Sequence, residues 1–353
     1  MRTNDFIKRL EDSGLTVSAE ELGTVAPNAT FEQFTQELVR ECKLTDYQAQ
    51  IVLRKSPGQL RFGDYTILDR IGHGGMGVVF KAIRPASGEV VALKVLAETL
   101  SRNSLAIRRF MREAEVAIQL VHPNIVRAIE SGEHNNQHYF VMEYVDGCNL
   151  AESLRARGCG LPLLTAFEYL RHAVRGLEYA HAQNVIHRDI KPSNMLVHRN
   201  GTLKILDMGL ARSGASDQTS LETELTATGT LLGTTGYMAP EQALNSKNAD
   251  HRSDIYGLGC TFHFMLTGSE IYHGTTFVEK IVAHREQPIP DLRKLRDDVP
   301  TAVQELFGQM VAKDIDQRFQ SACELRSEVE SLLDEFGHMW MIKRYLNEKK
   351  GRR

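Results

Sequence analysis

Apolar residues recur along this chain with two alternating periods, and each change of period marks a change of element. The first sixty residues carry helical spacing. Phe6, Ile7 and Leu10 fall on one face, Ser18-Ala19-Glu20-Glu21 reads as a helix start with acidic residues in its first turn, and a second helix runs through Phe31 to Val39. Thr45 followed three residues later by Gln48 is a capping-box pattern, which predicts a third helix through Leu53. Leu38, Leu44, Tyr47, Ile51 and Val52 line one face of a small helical unit that Ser56-Pro57-Gly58 ends. This segment holds no chemical motif and reads as a docking module or an extension packed on the next domain.

From Tyr65-Thr66-Ile67-Leu68 the pattern turns to the β-branched and apolar runs of strands. Ile71 to Phe80 reads as strand, glycine-rich turn and strand; Val90 to Leu96 is a nearly continuous apolar strand with one lysine, Lys94. Ser104 to Leu120 returns to helical spacing, with Phe110, Ala114, Ala117 and Ile118 on one side, until Pro123 closes it. Ile125 to Glu130 and His138 to Tyr144 read as two strands, and Asn135-Asn136-Gln137 as a hairpin, so His134 and His138 are not read as metal ligands. Leu164 to Ala182 is a long amphipathic helix. Between Leu210 and Gly233 the chain is rich in Ser, Thr and Gly with little periodicity, and a loop that long in a compact domain is functional or disordered. Helices are expected across 277–335, and a last one from Phe336 to Arg353 around the only tryptophan, Trp340.

Composition narrows the class without naming a chemistry. The chain has 353 residues, 42% hydrophobic and 25% charged, an ordinary balance for a soluble globular protein. A net charge of −3 offers no footprint for nucleic acid, and the basic end, Lys349 to Arg353, reads as a solvated tail. Five cysteines without a C-x-x-C pair point to reduced thiols. The amino terminus turns charged too soon for a signal-peptide core. The apolar stretch Ile255 to Leu266 is broken by Gly257, Gly259 and His263 and falls short of the roughly 18 residues of a spanning helix. A cytoplasmic protein with no membrane span and no nucleic-acid partner is expected.

The chemistry concentrates in His187-Arg188-Asp189-Ile190-Lys191-Pro192-Ser193-Asn194, followed by Lys204-Ile205-Leu206-Asp207-Met208-Gly209. A carboxylate such as Asp189 can orient an acceptor hydroxyl and take its proton. Lys191 can neutralise charge growing on a transferred phosphoryl group, and Asn194 with Asp207 offers oxygen ligands to Mg²⁺. Upstream, Gly72, Gly74, Gly77 and Val79 satisfy G-x-G-x-x-G-x-V, whose glycines let backbone N–H groups close over phosphates. A strand follows this motif, where a dinucleotide fold would start a helix. Lys94 is costly in an apolar strand unless it is paired, and reads either as a lysine snorkelling at a strand edge or as one that holds phosphates.

These motifs together resemble the eukaryotic-like serine/threonine protein kinases of bacteria, over roughly residues 62–335. The segment before them loosely resembles the leader of planctomycete-type members. The resemblance implies an α+β, two-lobed protein kinase fold with a small helical N-terminal extension: residues 1–61 as extension, 62–145 as small lobe, 146–335 as large lobe, and 336–353 as C-terminal helix and basic tail. It implies ATP with Mg²⁺, or Mn²⁺ in its place, protein substrates with Ser or Thr acceptors, and a homodimer during autophosphorylation. Lys94 would hold the α- and β-phosphates and pair with Glu113; Glu115 points about 200° away around the helix. The nucleotide would lie against Gly72, His73, Gly74, Gly75, Met76, Gly77, Val79, Ala92, Lys94 and Leu196, with Met142 as gatekeeper and Glu143 to Val145 as hinge. Asp189, Lys191, Lys94 and Glu113 would be catalytic, and Asn194 and Asp207 metal ligands. Arg188 would pair with a phosphate on the Thr-rich activation segment, where Thr226 and Thr228 lie closest to the usual site, while Thr234 would bond Asp189 and Lys191. Glu241 would pair with Arg318, and Asp254 would brace the catalytic loop. Lys191 favours Ser/Thr over Tyr acceptors, and Met208 departs from the family's Asp-Phe-Gly. A nucleotide-binding scaffold and a small-molecule kinase are the rival readings; the complete set Lys94, Glu113, Asp189, Asn194 and Asp207 counts against the first, and Ala239-Pro240-Glu241 with the Thr-rich loop against the second.

Overall fold

The computed structural model describes residues 3–15, 30–54, 59–208, 235–244 and 249–350. The helix start expected at Ser18 to Glu21, the break at Ser56 to Gly58 and the Thr-rich loop lie outside the described residues. The chain divides into two compact units, Met1–Glu115 with Ala128–Tyr144, and Val116–Arg127 with Val145–Arg353.

The first unit is built on a six-stranded antiparallel sheet of order β1-β2-β3-β4-β6-β5. Its strands are β1 (Arg61–Phe62), β2 (Tyr65–Gly74), β3 (Gly77–Arg84), β4 (Glu89–Leu96), β5 (Ala128–His134) and β6 (Gln137–Glu143). Register sorts the side chains, because successive residues of a strand face opposite ways. Phe80 stands beside Leu93 and Leu93 beside Val141; Ala82 stands beside Val91, and Val95 beside Tyr139. All of these join one apolar cluster with leader residues Phe6, Leu10, Phe34, Leu38, Ile51 and Val52. These six come from α1 (Thr3–Asp12), α2 (Phe31–Arg40) and α3 (Asp46–Leu53). At about 2 kcal/mol for each large side chain buried, they contribute about 12 kcal/mol, as much as the net stability of a typical domain. The leader is therefore integral to the small lobe's core.

Local signals explain the ends of these elements. Thr30 with Gln33 and Thr45 with Gln48 form complete capping boxes at the starts of α2 and α3. The hairpin between β5 and β6 turns on Asn135 and Asn136, both at left-handed φ, 50° and 60°, as a two-residue turn between twisted strands requires. One expectation shifts: the strand foreseen from Ile125 begins at Ala128. Ile125 instead makes a parallel bridge with Ile205, the Val126 N–H donates to the Ile205 carbonyl, and the Ile205 N–H donates to the Asn124 carbonyl. Those bonds tie 124–126 to the second unit.

The second unit is helical, with a three-stranded sheet of order β7-β8-β9, formed by Gly147–Asn149, Met195–His198 and Leu203–Ile205. Its helices are α4 (Ser104–Gln119, whose last turn alone belongs here), α5 (Leu150–Arg157), α6 (Leu163–Ala182), α7 (Pro240–Leu244), α8 (His251–Thr267), α9 (Phe277–Glu286), α10 (Thr301–Met310) and α11 (Ala322–Lys350). The apolar stretch in α8 is explained by burial: Ile255, Leu258 and Phe262 are wholly enclosed with Phe167, Leu170 and Leu177 of α6. No helix among the described residues is long and apolar enough to cross a membrane. The stretch from Phe336 continues the helix that begins at Ala322.

Candidate active site

In the first unit, the sheet face opposite the leader carries the residues expected to meet a nucleotide. Val79 pairs with Lys94 and Lys94 with Phe140; Ala92 pairs with Met142 in the same alternation. Lys94 Nζ lies 3.2 Å from Glu113 Oε1, and both side chains are nearly enclosed. Glu113 is buried in α4 whereas Glu115 is exposed, as the helical period dictates. The lysine thus has an acidic partner, the one the resemblance implied. Gly72, His73 and Gly74 end β2 and pair with Val79, Val78 and Gly77 of β3. A Cβ at Gly77 would stand 2.0 Å from the Val95 carbonyl oxygen, so close backbone approach fixes that glycine. At Gly74 and Gly75 a Cβ would meet none of the described atoms within 4 Å, so packing there does not demand glycine. Met76 caps the turn through its carbonyl, which accepts from the Ala97 N–H at 2.9 Å. Glu143 ends β6 opposite Val91, and Val145 is buried at the start of the second unit's main segment.

In the second unit, His187 to Asn194 is held by buried polar groups. The Asp254 carboxylate, 1% exposed, accepts from the His187 N–H (2.9 Å) and the Arg188 N–H (2.6 Å), and bonds His181 Nε2 at 2.8 Å. Arg188 adopts φ 63°, a left-handed conformation that a side chain this large takes only when its surroundings impose it. His187 is fully buried; its Nδ1 accepts from the Asp189 N–H, which leaves Nε2 as the donor to the Leu206 carbonyl at 2.9 Å. The same imidazole therefore links the loop to the segment that ends in Asp207.

Two side chains converge on one carboxylate. Lys191 Nζ is 2.8 Å and Asn194 Nδ2 3.0 Å from Asp189 Oδ2, and Asn194 Nδ2 also donates to the Asp189 carbonyl. With its nitrogen so committed, Asn194 has Oδ1 as its remaining polar end, an oxygen of the kind hard divalent cations take. The Leu206 N–H donates to the Asn194 carbonyl, so the chain before Asp207 is stitched to the loop. Asp207 itself sits at φ 54°. Met208 is buried in the large-lobe cluster and fills an apolar position despite lacking an aromatic ring. Leu196 lies in β8 between Asn149 and Lys204.

The support beneath the loop extends to Glu241 in α7. Arg318 bonds both its oxygens, at 2.7 and 2.8 Å, Ser253 Oγ adds a third bond at 2.7 Å, and the guanidinium lies 4.8 Å from the Tyr256 ring centroid. Burial alone would raise the Glu241 carboxyl, but the Arg318 bonds and charge hold it below the usual range. Two supports carried no sequence signal of their own: His181, on Asp254, and Gln242, whose Nε2 donates to the Arg188 carbonyl at 2.6 Å across 54 residues. Thr226, Thr228 and Thr234 lie outside the described residues.

Residues 65–329 match the family model described as "Protein kinase domain". The chain is 36% identical over 275 residues to the probable serine/threonine-protein kinase PknB of Lactococcus lactis, covering 77% of this chain and 42% of that protein. It is 35% identical over 272 residues to the serine/threonine-protein kinase PrkC of Bacillus subtilis, covering 77% and 41%. The chain thus spans about two fifths of the length of these relatives. Among solved structures, the Mycobacterium tuberculosis PknI kinase domain superposes with a TM-score of 0.59 at 26% identity, covering 77% of this chain and 97% of that one.

Proposed function

This chain belongs to the protein kinase family of bacterial serine/threonine kinases, and from that membership we propose that it transfers the γ-phosphoryl group of ATP to Ser or Thr hydroxyls of proteins. The observation that carries the reading is the convergence of Lys191 and Asn194 on the Asp189 carboxylate, in a loop held by Asp254. In this reading Asp189 orients the acceptor hydroxyl and receives its proton as the new P–O bond forms. Lys191, beside it, offsets negative charge on the moving phosphoryl group. Lys94, kept in place by Glu113, grips the α- and β-phosphates. Asn194 and Asp207 would hold the divalent cation; Mg²⁺ suits this oxygen donor set, as would Mn²⁺. When bound, the cation draws the phosphate charges together and makes ADP a better leaving group.

Activity is read as rising when Thr226 or Thr228 becomes phosphorylated and the new charge pairs with Arg188, with two copies meeting for the exchange. The cytoplasm, where ATP is available, is the proposed place of action, and the planctomycete-type affinity rests on the leader's resemblance alone. Incubation with MgATP and a protein substrate, followed by phosphosite mapping beside Asp189→Asn, tests the whole reading. Phosphate is expected on Ser and Thr, including threonines between 219 and 230, in the wild type only. Equal labelling by the variant removes Asp189 from its role; nucleotide binding without any transfer favours a scaffold.

A further inference from the structure

The strand that leads into the glycine-rich turn is irregular at two places, and the leader seizes it at the first. Against β3, Ile67 pairs with Ala82 and Asp69 with Lys81, so Leu68 is an extra, bulged residue; Arg70 with Phe80 and Gly72 with Val79 leave Ile71 as a second. A bulge bends and twists its strand and leaves backbone groups outside the ladder. Both bulges fall just before Gly72, so their geometry sets where the glycine turn points.

At the first bulge, two leader side chains each accept one hydrogen bond from the helix start and donate one to β2. Thr45 Oγ1 accepts from the Gln48 N–H at 3.1 Å and donates to the Leu68 carbonyl. Gln48 Oε1 accepts from the Thr45 N–H at 2.9 Å, and its Nε2 donates to the Ile67 carbonyl at 2.8 Å. The capping box that starts α3 is thus also a clamp on consecutive carbonyls of β2. Gln48 is 4% exposed, so the Ile67 bond is shielded from water. The Ile67 N–H is held as well, donating to the Leu60 carbonyl at 2.7 Å. Beneath, the leader's apolar side chains back Val91, Leu93 and Val95, the residues that alternate with Ala92 and Lys94.

We propose that the leader is a positioning element for ATP, with Thr45 and Gln48 fixing the bulge of β2 and thereby the aim of the glycine-rich turn; this rests on the kinase reading of that turn. Leader removal is no test, because it strips the small lobe of part of its core. Gln48→Glu is the sharper change. Glu at this position still accepts from the Thr45 N–H, as in the usual capping box, but an ionised carboxylate has no proton to donate to Ile67. Thr45→Val removes both the donor to Leu68 and the acceptor for the Gln48 N–H in nearly the same volume, and Thr45→Ser keeps both roles.

The affinity of the full chain for MgATP is measured by titration calorimetry at pH 8, with thermal melts to show that each variant is folded. Loss of the bond to β2 is expected to weaken MgATP about five- to tenfold in Gln48→Glu and Thr45→Val, and not in Thr45→Ser. The KM for ATP should rise in step while kcat at saturating ATP changes little, and hydrogen exchange across 69–77 should quicken. Lower melting temperatures with unchanged MgATP affinity in both variants overturn the proposal, because a merely structural leader would give that pattern. A wild type that binds MgATP but transfers nothing defeats the kinase reading alone, since the affinities still decide the role of Thr45 and Gln48. A wild type that does not bind MgATP defeats both.

Discussion

Asp254→Asn isolates what the buried brace contributes, because it removes a charge without opening a cavity. Asp254 serves three donors with two oxygens: Oδ2 takes the His187 N–H and His181 Nε2, and Oδ1 takes the Arg188 N–H. An asparagine can present one oxygen, so its NH₂ must face a donor whichever way it turns. One bond to a charged acceptor, worth about 1.5–3 kcal/mol, is lost, and a buried donor facing another donor costs about 1–3 kcal/mol more. The sum is about 4 kcal/mol, and for a domain of roughly 200 residues that lowers the melting temperature by about 10 °C. Activity should fall further than stability. Arg188 sits at φ 63° only while its N–H is held, and relaxation of that residue displaces its neighbour Asp189. A misplacement of about 1 Å costs about 100-fold in rate. Circular dichroism melts and phosphotransfer to a protein substrate at saturating MgATP measure the two effects. A variant that melts within about 2 °C of the wild type and keeps its kcat would refute this account of the loop.

Other outcomes stem from buried charge. Arg318→Met should destabilise by about 3–5 kcal/mol, since it strands the Glu241 carboxylate, while Arg318→Met with Glu241→Gln should recover most of that loss; urea unfolding of Arg318→Met, Glu241→Gln and the double variant gives the coupling directly, and additive losses would contradict it. Burial holds His263 and His284 down to about 4. The unfolded chain therefore binds more protons between about pH 6.5 and 4, so stability is full above that window and falls as pH drops through it, by at most about 1.4 kcal/mol per pH unit for each histidine. Melting temperatures measured from pH 7.5 to 4.5 should fall only below about 6.5, and a rise on acidification would reverse the assignment.

The candidate site residues were legible because they fall in short stretches with fixed spacing. Asp189, Lys191 and Asn194 lie within one turn of chain, and their convergence needs little more than a 3-10 turn at Pro192–Asn194. Lys94 announced itself as a charge in an apolar strand; Glu113 came from the family resemblance, with the helical period setting Glu115 on another side. Gln242 and His181 did not, because a hydrogen bond to a backbone carbonyl or a buried carboxylate tens of residues away leaves no local pattern. The strand expected at Ile125 failed for a related reason. Its β-branched residues suit any ladder, and the ladder that claimed them belongs to Ile205 rather than to β5.

Periodicity determined the longer elements of this protein, such as α6 and the strand that carries Lys94, and which face of each is apolar. Spacing brought out the motifs of the loop and of the glycine turn. Which apolar faces meet was settled by the fold. The leader read as a docking module or an extension packed on the next domain, the two left open because a hydrophobic face specifies burial but not its partner. Folding settles it on the sheet face behind Lys94, and there a capping box legible in sequence acquires a second role that sequence could not show. The oxygens of both side chains accept from the helix start, and each side chain also donates to β2, Thr45 to the Leu68 carbonyl and Gln48 to the Ile67 carbonyl.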